Sequence, residues 1–234
     1  MLHAFKNHLP GTLHSTPEIT MKIIYCISGL GADERAFSNL KIHGHTMVYL
    51  PWLQPLEKET IEHYATRMSA GIKEENPVLL GLSFGGMMCI EISKILQVSK
   101  IILVSSVKSA TEIPGWMRRS GKLGLNKFFS MRAYKIMEPI QNRILGVSTA
   151  DEKEMIRNYR KKEHVVYTNW AVNEAINWRN NWQPPVLFHI HGDSDKLFPI
   201  KNISPTHIVK GGGHFMIMNK ATEVNAALQQ ILGS

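Results

Sequence analysis

Pro77-Val78-Leu79-Leu80-Gly81-Leu82-Ser83-Phe84-Gly85-Gly86-Met87-Met88-Cys89-Ile90-Glu91-Ile92-Ser93-Lys94-Ile95-Leu96 is the stretch that decides how this chain is read. Its first four residues form a short apolar run suited to a buried strand, and its last ten have the length and content of a helix. A serine between the two sits on a sharp turn in a strained backbone conformation. The turn lifts the hydroxyl above the sheet and aims the first free N–H groups of the helix at the same spot. Gly81 and Gly85, two residues before and after Ser83, lack side chains that would collide with the neighbouring strand and helix. Gly86 adds clearance. The pattern is that of an activated serine nucleophile, on condition that a base and an acid follow later in the chain.

Outward from this stretch, β-branched and apolar runs predict strands at 22–28, 46–50, 77–82, 100–105, 185–191 and 206–209. Gly29-Leu30-Gly31 stops the first and Pro51 the second. A short helix is expected over 33–40, and a long one over 57–75 with Ile61, Tyr64, Ala65, Met68 and Ile72 at helical spacing. A closing helix is expected over 219–232. Residues 108–182 contain no convincing strand and predict helices near 114–121, 124–145, 150–163 and 168–180. Thr149-Ala150-Asp151-Glu152 has capping-box spacing at the start of the third. Strands alternating with helices define an α/β class, doubly wound around a mostly parallel six-stranded sheet. The expected organisation is a polar N-terminal extension (1–20), a core (21–107 and 183–234) and a helical cap inserted at 108–182. The cap is expected over the carboxyl ends of the strands, where open α/β sheets place their sites.

At 234 residues and 44 % apolar, the chain is long enough to bury roughly 70–75 % of its unfolded surface. No apolar run approaches the ~20 residues that span a bilayer, so no membrane span is expected. Cys26 and Cys89 both fall inside predicted core elements and read as small buried hydrophobes. That favours a reducing, cytoplasmic setting over a disulfide framework. Residues 1–20 lack the apolar centre of a signal peptide. The net charge of +8 is concentrated in 108–182, which holds 14 Lys/Arg against 7 Asp/Glu. The basicity belongs to one segment.

A serine hydroxyl needs a base to remove its proton at neutral pH. His214, in Gly211-Gly212-Gly213-His214-Phe215 just after the last strand, is the best candidate. The base in turn needs a carboxylate to hold its tautomer and stabilise the imidazolium. The segment His191-Gly192-Asp193-Ser194-Asp195-Lys196-Leu197-Phe198-Pro199 offers two, Asp193 and Asp195.

The Gly-Leu-Ser-Phe-Gly turn, the His-Gly-Asp-Ser-Asp…Pro segment and Gly-Gly-His together resemble the α/β-hydrolase superfamily, over residues 22–232. The resemblance implies the order Ser83, Asp195, His214, with Asp195 selected because the family's acid lies four residues after the histidine of the His-Gly turn. Asp193 keeps the role of a turn former. It also implies an oxyanion hole from the backbone N–H groups of Phe84 and Leu30, the latter in the Ser28-Gly29-Leu30-Gly31 loop, where Ser28 replaces a frequent histidine. Many relatives begin with an antiparallel hairpin that has no counterpart here. The expected sheet is therefore all parallel, in the order 2-1-3-4-5-6.

Other patterns are weaker. Gly29-Leu30-Gly31 lacks the third glycine of a dinucleotide fingerprint, since Glu34 stands there, and no Walker lysine follows. His43-Gly44-His45 and His189-Ile190-His191 lack acidic or cysteine partners for a metal, and His191 reads as a structural residue of the turn carrying Asp195. No cofactor is expected. Arg118-Arg119 and Arg160-Lys161-Lys162 read first as solvated helix faces and second as an attraction for an acidic carrier; no nucleic-acid module accompanies them. Aromatic residues of the cap read mainly as its core, with Trp116, Phe128 and Trp170, together with Trp52, expected around the substrate. The functional expectation is a serine hydrolase acting on a small-molecule ester. Its rivals are a thioesterase, acyl-carrier esterase or acyltransferase using the same residues, and a non-catalytic ligand-binding protein on the same fold.

Overall fold

Strand β1 (Lys22–Ile27) sends alternate side chains to opposite sides: Ile24 and Cys26 enter one apolar core, Tyr25 and Ile27 another. The same division recurs in β3 (Val78–Leu82) and β4 (Lys100–Val104), where Leu79, Ile101 and Leu103 face one side and Leu80, Ile102 and Val104 the other. A strand covered on both faces has no polar side to show, which is why these segments read as unbroken apolar runs. In the computed structural model, which describes residues 22–122, 138–162 and 165–233, β2 (His45–Tyr49), β5 (Leu187–Gly192) and β6 (His207–Val209) complete a six-stranded sheet. Every pairing is parallel and the order is β2-β1-β3-β4-β5-β6, as expected.

Helices cover both faces. On one side lie α1 (Ile61–Ser69) and α2 (Phe84–Ser93). Helix α2 is buried all round, as a helix apolar on every face must be. On the other side a 3-10 turn (Glu34–Phe37) and the closing helix pack against the sheet through Phe37, Val224, Leu228 and Ile231. Truncating a central strand residue such as Leu80, fully buried, to alanine costs roughly 2–5 kcal/mol. Both cysteines are free and buried, and burial pushes their thiols up from their ordinary range, so neither is poised to react.

Between β4 and β5 the described chain is helical: α3 (Gly115–Lys122), α4 (Glu138–Leu145), α5 (Ala150–Lys162) and α6 (Val165–Asn177). The capping box at α5 closes as its spacing predicts. The Glu152 amide donates to Thr149 Oγ1 at 3.2 Å, and the Thr149 amide donates to Glu152 Oε2 at 3.0 Å.

Some boundaries differ from expectation. Helix α1 is nine residues long, not the span 57–75. Lys58 adopts φ 55, which keeps the preceding residues out of the helix, and Thr60 caps it instead. At its other end Gly71 packs beneath the Leu50 side chain. Helix α6 ends at Asn177, short of 180, because the next residues pin the segment to the core. The Trp178 indole donates to Glu91 at 2.7 Å and Asn180 Nδ2 to the Lys108 carbonyl at 3.0 Å. A short helix α7 (Met216–Asn219), absent from the sequence reading, precedes α8 (Ala221–Gly233). The expected helix 124–145 lies partly outside the described residues.

Candidate active site

Ser83 leaves β3 and heads α2 with φ 52 and ψ −118. For a residue with a side chain, this conformation costs of order 1–3 kcal/mol and persists only where its surroundings enforce it. Here they do. Its amide donates to the Val104 carbonyl at 3.0 Å, and its carbonyl accepts from the Gly86 amide at 2.9 Å and the Ser106 hydroxyl at 2.6 Å. The glycines are fixed by contact. A Cβ on Gly81 would lie 2.5 Å from the Gly85 carbonyl oxygen, one on Gly85 would strike the carbonyls of Ile27 and Ser28, and one on Gly86 would strike Ser106.

His214 Nε2 lies 2.9 Å from Ser83 Oγ, and its Nδ1 lies 2.8 Å from Asp195 Oδ2. A carboxylate can only accept, so Nδ1 carries the proton and Nε2 is left to accept from the serine hydroxyl. The other carboxylate oxygen, Asp195 Oδ1, accepts from the amides of Leu197 (2.8 Å) and Phe198 (2.9 Å). Burial alone would raise the Asp195 carboxyl. The neighbouring His214, the Phe198 N–H and His191 outweigh it and hold the group below the usual carboxylate range. Asp195 therefore stays ionised where an unpartnered buried acid would not.

The loops bearing these two side chains are tied together. His191, fully buried, donates from Nε2 to the Phe198 carbonyl at 2.8 Å. Asp193 does not share Asp195's place; its Oδ1 accepts from the Gly211 amide at 2.7 Å and closes the turn. The Ser194 amide donates to the Gly212 carbonyl at 3.0 Å, and a Cβ on Gly192 would fall on the Gly212 backbone. The glycines before His214 thus let its loop lie against the β5 turn. The Phe198 ring stands edge-on to His214, 5.4 Å between centroids.

Ser28 shapes the loop after β1. Its hydroxyl donates to the Ala32 carbonyl at 2.7 Å and accepts from the Trp52 indole at 3.1 Å. Gly29 brings this loop against the Ser83 side chain. Leu30 and Phe84 both border the cavity that holds Ser83. As the first residue of α2, Phe84 has an N–H with no partner in its own helix.

That cavity has a volume of about 350 Å³ and reaches from Ser83 and His214 to an apolar wall that includes Met117, Ile144, Ile156 and Val172. The wall is drawn from α3, α4, α5 and α6. Of the expected aromatic lining, Trp52, Trp116 and Trp170 do not border this cavity. Trp52 borders a separate recess and stacks on Phe84 at 5.3 Å; Trp170 stacks on Tyr64 at 4.2 Å and donates to the Glu59 carbonyl. Trp116 points outward and is 56 % exposed, while its neighbour Met117 faces the cavity. Phe128 lies outside the described residues. Sequence reasoning missed Ser106 and, in the aliphatic wall, Ile144, Ile156 and Val172. The Phe198 contacts were within reach, since Phe198 stands in the same segment as Asp195.

No protein-family model matches the chain, and no curated protein matches it in sequence. Solved structures do match in shape. A bromoperoxidase from Bacillus anthracis superposes with a TM-score of 0.70 at 17 % identity, covering 92 % of this chain and 93 % of its own. An epoxide hydrolase from Bacillus megaterium superposes with a TM-score of 0.66 at 13 % identity, covering 91 % and 94 %. An α/β hydrolase fold protein from Burkholderia ambifaria gives 0.68 at 13 %, covering 89 % and 90 %. The chain has the α/β-hydrolase fold. The differing activities in those names mean that the reaction has to be argued from the site.

Proposed function

We propose that this chain is a serine hydrolase that cleaves carboxylic esters of small or medium apolar molecules through an acyl-enzyme. The observation that carries the reading is the continuous chain Ser83 Oγ, His214, Asp195, at 2.9 and 2.8 Å, placed at an apolar cavity.

In this reading His214 Nε2 takes the Ser83 proton as Oγ bonds to the ester carbonyl carbon. The carbonyl oxygen becomes an oxyanion facing the N–H groups of Leu30 and Phe84, where one well-placed donor lowers the barrier by roughly 3–4 kcal/mol. The imidazolium returns its proton to the departing alcohol. Water, deprotonated by His214, then attacks the acyl carbon and releases the acid and the free serine. Asp195 orients the ring and stabilises its charged form at each stage. The apolar wall receives the hydrocarbon part of the substrate, and residues 108–182 act as the cap that supplies it. Hydrolysis of p-nitrophenyl esters tests the proposal: turnover by the wild type and a loss of at least about a thousandfold in Ser83→Ala are expected. A folded wild type with no turnover on any chain length would count against it.

A second reading, a thioester on an acidic carrier, draws on α3. That helix presents Arg118 and Arg119 to solvent and Met117 to the cavity. Such attraction weakens with salt. Activity insensitive to both salt and charge reversal at Arg118 and Arg119 would argue against it.

A further inference from the structure

A second cavity, of about 560 Å³, lies on the far side of the loop after β1, sharing Gly31, Ala32 and Tyr159 with the first as a common wall. Its lining is unlike that of the first. Five aromatic rings border it: Phe37, Tyr49, Trp52, Tyr159 and Tyr167. Trp52 and Tyr167 stand 5.5 Å apart at 44°, and Phe37 and Tyr49 stand 5.8 Å apart at 34°. Both pairs are tilted, and both border this one cavity.

Two carboxylates, Asp33 and Glu34, also border this space. Asp33 is occupied by Arg35, which donates to it from Nε at 2.8 Å and from Nη2 at 2.7 Å. The same guanidinium lies over the Tyr159 ring, 5.0 Å from its centroid. The protein's own arginine thus already combines a carboxylate and an aromatic face at one edge of the cavity. Glu34 is exposed and has no ion-pair partner among the described residues. Asp33 is paired with Arg35, and Glu34 adds a negative charge to the described lining of the cavity.

Aromatic faces attract cations through their quadrupole, most strongly when the cation is poorly hydrated. A metal ion would need a cluster of oxygen ligands, which one free carboxylate does not supply. A neutral apolar ligand would leave Glu34 unused. We propose that this second cavity binds a small organic cation of the alkyltrimethylammonium class, seated among the aromatic rings with Glu34 as its counter-charge.

The test is calorimetric titration of the full chain with choline and with its neutral isostere 3,3-dimethylbutan-1-ol. Choline is expected to bind at least about tenfold more tightly. Glu34→Gln and Tyr49→Leu, each at a partly or fully exposed position, are each expected to weaken choline by about five- to tenfold and to leave the isostere within about twofold. Choline is also expected to shift the Trp52 indole N–H resonance, identified by its absence in Trp52→Phe. Equal affinity for the two compounds, unchanged choline affinity in both variants, or an unmoved Trp52 resonance would each overturn the proposal. No turnover is involved, so the outcome is independent of whether Ser83 is a nucleophile.

Discussion

The Ser106 hydroxyl donates a 2.6 Å hydrogen bond to the carbonyl of Ser83. A side chain at the end of one strand thereby holds the backbone of the candidate nucleophile at the end of the next. The Gly86 amide shares the same acceptor at 2.9 Å. We predict that Ser106→Ala, which leaves one of the two donors, lowers stability by about 1 kcal/mol. It should also reduce kcat more than it raises KM, because it loosens the turn and leaves the apolar wall intact. Urea unfolding and steady-state kinetics measure both. A variant indistinguishable from wild type would mean that the Gly86 bond alone holds the turn.

The glycines of the turn should differ sharply from glycines elsewhere. A Cβ at Gly85 meets two backbone carbonyls that cannot yield, whereas one at Gly115 finds only the end of the Arg119 side chain, 3.8 Å away. Gly85→Ala is therefore predicted to cost roughly 3 kcal/mol or more, through overpacking against rigid backbone. Gly115→Ala, at the start of α3, should be within about 0.5 kcal/mol of wild type. Thermal unfolding of the two side by side decides the matter.

Asp195→Asn replaces an acceptor that fixes the His214 tautomer by a group that can also donate. A fall in kcat on the order of ten-thousandfold is predicted, with KM little changed. The ionised Asp195 also stabilises the fold. Its carboxyl titrates below the ordinary 3.8, so this stabilisation is complete above that pH and is lost as pH falls through the lower folded value. The stability difference between wild type and Asp195→Asn should narrow below about pH 4. A difference that stays constant down to pH 2 would contradict the assigned charge.

His189 also loses stability as pH falls, but from a group that stays neutral in the folded chain. Burial, followed by the charges of His191 and Lys108, pushes its ring down to about 3 from the ordinary 6.5. The unfolded chain binds a proton there as pH falls below 6.5, and the folded chain does not until about 3. Stability from this group is complete above pH 6.5 and declines across that window, by at most roughly 1.4 kcal/mol per pH unit. His189→Leu should flatten the slope between pH 6 and pH 4. An unchanged slope would place the titration elsewhere.

Much of this was legible in the sequence, for identifiable reasons. Strands β1, β3 and β4 announce themselves because burial on both faces leaves no polar alternation to confuse the reading. Ser83, Asp195 and His214 were visible because each follows a strand in a short, glycine-marked segment, so topology alone carries them to one edge of the sheet. The apolar wall of the cavity was less legible. Tryptophans stand out in a sequence, but a buried indole needs an acceptor, and Trp52 and Trp170 found theirs at Ser28 and the Glu59 carbonyl. On α3, Trp116 and Met117 are adjacent and differ by about 100° around the helix; only the packing of the helix decides which one faces inward. Helix α1 begins later than its apolar spacing suggests because Lys58 adopts a left-handed conformation that its residue type does not advertise.

The aliphatic wall supplies a specificity prediction. Val172, on α6, borders the same cavity as Leu30 and Gly31. Val172→Phe adds bulk where the hydrocarbon part of the substrate would lie, and one methylene of fit in such a pocket is worth about 1–3 kcal/mol. The preferred p-nitrophenyl ester should become shorter by two or more carbons, with activity on acetate retained. A uniform loss at every chain length would instead indicate damage to the reacting groups.

Whether Ser83 is the nucleophile is read out by active-site labelling with a fluorophosphonate. Covalent modification of the wild type at Ser83, located by peptide mass spectrometry, is expected, and none in Ser83→Ala or in wild type heated until unfolded. A folded wild type left unlabelled beside a reactive control hydrolase, or labelled at any other residue, would contradict it.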